Sequence, residues 1–146
     1  MSDEEHRRHA RHTYGLCWEF LGRTLHDYER RDLVGYALTS RYHWQQAGGP
    51  QELAIADWMV SRAYAAVSQP VLAIEYALTS LNHGYEEFPA WLKASLNEGI
   101  ARAYACASDH KQRDEYISLA LIELDKEADV DDAEIIRGQI AELLDD

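Results

Sequence analysis

The chain has 146 residues, 47% of them apolar, and a net charge of −12. That length fits one domain, 1–146, able to bury a core without a disulfide or metal staple. The acidic balance repels phosphate backbones and anionic lipid, which excludes nucleic acid and membrane surfaces as partners.

Ser2, with Glu5 three residues on, reads as a capping box that opens the first helix. The basic run HRRHARH at 6–12 follows an acidic DEE and reads as a solvated helix start. Tyr14, Cys17, Trp18, Leu21, Leu25 and Tyr28 then recur at spacings of three and four, one apolar stripe on a helix. The charged ERRD at 29–32 is expected to form a corner before a second helix from about Asp32 to Gln46, which AGGP at 47–50 stops. A third helix is expected from Gln51 to Ser68. A fourth starts at Pro70, which a first helical turn tolerates, and ends near Gly84. A fifth spans Ala90 to Ala107, a sixth carries Ile117, Leu121 and Leu124, and a seventh carries Ile136, Ile140, Leu143 and Leu144. Asp131 and Glu134 are expected to cap the last one. No alternating run predicts a strand. The start MSDEEHRR has no apolar leader and no run reaches membrane-span length, so a cytoplasmic location is expected. Cys17 and Cys106 fall among apolar residues and read as core thiols.

The chain repeats itself at an offset of 40. YALTS occurs at 36–40 and 76–80, each followed by a histidine, His43 and His83. RAYA occurs at 62–65 and 102–105, each followed by a serine, Ser68 and Ser108. Tyr36, Tyr76 and Tyr116 share one phase, and so do Trp18 and Trp58. The fold class is therefore all-α, with about seven helices: three stacked antiparallel pairs, roughly 12–48, 51–84 and 90–125, and a C-terminal capping helix, 131–146.

YAAVSQPVLAIEYALTSL at 64–81 resembles the second half of a tetratricopeptide repeat. Tyr64 stands at the family's aromatic position, Ser68 and Gln69 at its turn, and Ala73 at its small position early in the second helix. In the next copy Tyr104, Ser108 and Asp109 match, while Arg113 stands where the small residue belongs. The first copy, through Trp18 and Ala37, matches least. The period of 40 is longer than the family's, which implies longer helices or connections. The chain also resembles a group of short bacterial proteins with such helices.

That resemblance implies a non-enzymatic module that binds a protein or peptide along the face of its first helices. Carried over, it places Ile55, Trp58 and Arg62 on that face, then Ser95, Glu98 and Arg102, with Trp18 as an extension. Two arginines and a tryptophan suit an acidic or C-terminal carboxylate on the partner. The competing reading is that Glu98 pairs with Arg102 or Arg62 and fastens stacked helices. A second functional reading is a small-ligand or metal-binding protein, or an enzyme, that uses a pocket around His43 and Trp44. His83 at the equivalent phase argues for a merely architectural His43. His6, His9 and His12 lie three apart, so two can approach one ion, but no further ligand follows, and no metal or cofactor is predicted. The acidic run 125–136 lacks the glycine and final glutamate of a calcium loop. No glycine-rich phosphate loop, zinc-protease or serine-hydrolase signature is present. With few repeats to cover the apolar ends, a homodimer is a further expectation.

Overall fold

The computed structural model describes residues 1–127 and 129–144. They form seven α-helices and, among the described residues, no strand. The helices are α1 (Asp3–Phe20), α2 (Asp27–Ala47), α3 (Pro50–Ala66), α4 (Pro70–Thr79), α5 (Ala90–Cys106), α6 (His110–Leu124) and α7 (Val130–Leu144). Two short 3-10 turns, Ser80–His83 and Tyr85–Glu87, link α4 to α5 around Gly84, whose φ of 103° only glycine adopts without strain. No described helix is long and apolar enough to cross a membrane.

Local chemistry explains most boundaries. Ser2 caps α1: its Oγ accepts the Glu5 N–H at 3.1 Å and donates to the Glu5 carboxylate. Pro50 and Pro70 occupy first turns, where a missing N–H costs nothing. The first corner differs from expectation. It lies at residues 21–26, not 29–32, because Gly22 takes a left-handed turn (φ 84°) and Glu29 caps α2 from inside. The Glu29 carboxylate accepts the His26 N–H at 3.0 Å and pairs with Arg23 at 2.6 Å. Arg23, then the His26 N–H, hold that carboxyl down to about 2. Leu25 and Tyr28 therefore extend the stripe of α1 in sequence but not in space. The start of α7 also differs. Asp129, rather than an Asp131–Glu134 box, caps it, accepting the N–H groups of Asp131 and Asp132 at 2.9 and 3.1 Å.

The helices pack as consecutive pairs, α1 with α2, α3 with α4, and α5 with α6. α3 also packs on α1 and α5, and α7 packs on α5. The odd-numbered helices thus make one inner row and the even-numbered ones an outer row. Small residues let the rows approach: Ala37, Ala54, Ala63, Ala73, Ala77 and Ala103 are fully buried. Leu33, Leu92, Leu96 and Ile100 fill the space between. Each such side chain stabilises the fold by roughly 1.5–3 kcal/mol. α7 buries Ile136, Ile140 and Leu143 against α5 and α6.

The period of 40 is structural. Tyr64 stacks on Tyr76 and Tyr104 on Tyr116, both at 5.8 Å between ring centres. In the first pair Phe20 takes the partner's place against Tyr36. Ser68 and Ser108 both end an inner helix in the left-handed conformation, at φ 61° and 60°. In each case the next N–H, of Gln69 or Asp109, returns 2.9 Å to the carbonyl of Tyr64 or Tyr104. This closes the helix end in the manner of a Schellman cap. Cys17 is buried, and burial pushes its thiol up to about 12; Cys106 is only half-buried.

A groove along the inner helices

Two positions on α1 and three each on α3 and α5 build the candidate site. On α1 they are Tyr14 and Trp18, on α3 Ile55, Trp58 and Arg62, and on α5 Ser95, Glu98 and Arg102. Within a helix the residues stand three or four apart, so they share one face. All eight meet between the inner helices. Trp18 and Trp58 lie 5.9 Å apart, centre to centre. The Arg62 guanidinium sits over both rings, at 5.1 and 5.5 Å. Glu98 is completely buried; its carboxylate accepts from Arg102 Nε at 2.9 Å and lies 3.9 Å from Arg62 Nη1. Arg102 reaches out to Glu142 of α7 at 3.2 Å and to the Gln139 carbonyl at 3.3 Å. The ion pairs that fasten α3, α5 and α7 together thus run through Glu98.

Gly99 makes the arrangement possible. A Cβ there would stand 2.4 Å from Trp58 Cδ1 and 2.7 Å from its Nε1. The indole of α3 therefore stands close against the backbone of α5, and any side chain at 99 would displace it.

Two openings flank these residues. One is a hollow of about 210 Å³ walled by Tyr14, Trp18, Trp58 and Trp91, with Ser95 at its side and Ile135 of α7 at its rim. Its lining is mostly apolar, with Ser95, Asp132 and Gln139 as the polar members. The other, one turn further along α3 and α5, is a cleft of about 600 Å³ that holds Arg23, Arg62, Arg102 and Glu142. Between them, four buried polar atoms have no hydrogen-bond partner among the described residues: Trp58 Nε1, Arg62 Nε, Arg62 Nη1 and Glu98 Oε1. Three of the four are donors. An unpaired buried polar group costs roughly 1–3 kcal/mol. Burial, then the charge of Arg102, hold the Arg62 guanidinium below its ordinary value against the opposing pull of Glu98.

His43 and Trp44 do not share a pocket. Trp44 lines a separate hollow with Arg11, Tyr14, Glu52 and Ile55. His43 turns toward α1, where its Nδ1 is 2.9 Å from that of His6 and its ring 5.2 Å from that of His9. His12 is exposed and outside this group. Among the described residues no three His, Cys, Asp or Glu side chains are arranged to hold a metal ion.

His83, one period after His43, has a different task. Its Nε2 is 2.6 Å from Asp57, a buried carboxylate that also accepts from Arg41 Nε at 2.5 Å. Asp57 thereby ties α3 to α2 and to the 3-10 turn that follows α4. One period on, Asn97 is also buried and polar, and donates to Tyr85 Oη at 2.9 Å.

Sequence reasoning missed Tyr14, Trp91 and Glu142 in the groove. Glu142 had a signal: it stands 40 residues after Arg102, as Arg102 does after Arg62. Tyr14 lay one turn before Trp18 on the same stripe. No family model, curated protein or solved structure matches the chain at a significant level.

Proposed function

We propose that this chain is a non-enzymatic, tetratricopeptide-like module, cytoplasmic in location, that binds a protein or peptide in the groove along α1, α3 and α5. The observation that carries this reading is the junction of an aromatic hollow with an arginine-lined cleft across unpaired buried donors. A peptide that sets an aromatic or branched side chain among the three tryptophans buries apolar area there. An acidic side chain or terminal carboxylate on the same peptide brings oxygen acceptors to the guanidinium N–H groups. The hollow has room for about one side chain, so selectivity resides in a single anchor beside the carboxylate.

Replacing both arginines would strand Glu98 in the interior, so a cleaner test leaves them in place. Ser95→Phe fills the hollow from its side without touching an ion pair. Random-sequence peptide pools with free carboxyl termini are expected to bind the wild-type protein and to lose at least about tenfold in affinity, roughly 1.4 kcal/mol, to the variant. Equal binding to both proteins overturns the reading, and so does equal binding by carboxyl-amidated pools that also lack acidic residues.

A further inference from the structure

We propose that His6 and His43 form a one-proton latch that fastens the first turns of α1 to the end of α2 and opens when the pair takes up a second proton. Their Nδ1 atoms face each other at 2.9 Å. A hydrogen bond between ring nitrogens needs one N–H and one lone pair, so the contact holds one proton. Two neutral rings satisfy it when one carries its proton on Nδ1 and the other on Nε2. One imidazolium beside one neutral ring satisfies it as well. Two imidazoliums cannot, because two N–H groups then point at each other and two positive charges meet.

Ring geometry separates this arrangement from a shared metal ion. A ring centre lies about 1.1 Å from its nitrogen, so a collinear bond places the centres about 5.1 Å apart. Two imidazoles on one ion at about 2.0–2.1 Å, with their nitrogens only 2.9 Å apart, would meet it at about a right angle and place their centres about 4.5 Å apart. The observed separation is 5.1 Å. The rings are therefore aimed at each other, not at a common third point.

The surroundings offer the second proton no compensation. On α1, Glu4 pairs with Arg7 and Arg11, and Glu5 bonds to Ser2. His9 presents a third imidazole, 5.2 Å from His43. On α2, Tyr42 sets its ring edge-on to His43. From α3, Glu52 lines the separate hollow beside Arg11 and Trp44. No carboxylate among the described residues pairs with His6, His9 or His43. Burial, then His6 and His9, hold His43 below its ordinary value. With a lowered folded value, the unfolded chain binds the more protons. The latch is thus closed above the ordinary histidine value, about 6.5, and its contribution is lost as pH falls through the lowered one. What then remains between the two ends are the bonds from Arg7 Nε to the Ala47 carbonyl, 3.1 Å, and from Ser40 Oγ to the Ala10 carbonyl, 2.8 Å.

The experiment is an NMR pH titration of the full chain that follows the histidine rings and the amide-exchange protection of residues 7–12. His6 and His43 are expected to titrate in two steps at least about one pH unit apart. Protection, corrected for intrinsic rates, is expected to fall about tenfold across the lower step. His12→Gln should keep both features. His43→Gln should leave a single step at His6 and remove the pH dependence of protection. Single-step titration of both histidines in the wild type overturns the proposal. So does unchanged protection across the second step.

Discussion

The second and third helix pairs repeat one another on the side that joins helix to helix and differ on the side that faces the groove. In both, a tyrosine pair stacks at 5.8 Å, a left-handed serine ends the inner helix, and an arginine stands four residues after the variable position. At that variable position α3 has Trp58 and α5 has Glu98. One residue later α3 has Met59, packed in the core, and α5 has Gly99, cleared for the neighbouring indole. One residue earlier the pair is Asp57 and Asn97, both buried and each given a different partner. Copying preserved the scaffold, and the differences between copies built the site.

The comparison breaks most severely at Glu98. Glu98→Ala leaves two mostly buried arginines without their shared carboxylate and should cost about 3–5 kcal/mol in urea denaturation. A loss under about 1 kcal/mol would show that the carboxylate is not what joins α3 and α5. Gly99→Ala comes next, at about 1–3 kcal/mol, because the new Cβ meets the indole well inside contact distance. The fluorescence of Trp58 should shift with it, whereas a silent Gly99→Ala would mean that the two helices do not pack indole against backbone.

The repeated features should respond alike. Tyr76→Leu and Tyr116→Leu each remove one stacked pair of the same geometry, and each should cost about 1 kcal/mol. Costs that differ by more than about 1 kcal/mol would show that the two stacks are not equivalent supports. The smallest effect has the opposite sign. Ser68→Gly and Ser108→Gly relieve a left-handed backbone at the price of extra chain entropy, and each should stabilise by about 0.5 kcal/mol. A destabilised variant at either site would show that the serine is preferred there for its side chain.

Much of the fold was legible because its signals are local. Apolar spacing, the Ser2 box, Pro50, Pro70 and Gly84 mark helices by chemistry within a turn or two. The resemblance, carried over at one repeat phase, places Trp58, Arg62, Glu98 and Arg102 on one face, and the structure sets these four side by side. The first corner was hidden because Leu25 and Tyr28 prolong the apolar spacing of α1 past its end, while Gly22 and the reach of Glu29 to His26 decide the break. Apart from Glu98, whose pairing with Arg62 or Arg102 was one of the expected readings, what joins distant segments was hidden. Asp57 finds Arg41 16 residues away and His83 26 away, and His6 finds His43 37 away. Such contacts depend on which helix stacks on which, and no local pattern encodes that.

The four tryptophans provide the most direct test of the claim that the inner row binds. Trp18, Trp58 and Trp91 wall the hollow, while Trp44 lies outside it. In a two-dimensional NMR spectrum each indole N–H gives its own signal. Titration with the free-carboxylate peptide pools should move the signals of Trp18, Trp58 and Trp91 and leave that of Trp44 in place. Movement of Trp44 alone, or of none of the four, would contradict a binding groove along α1, α3 and α5.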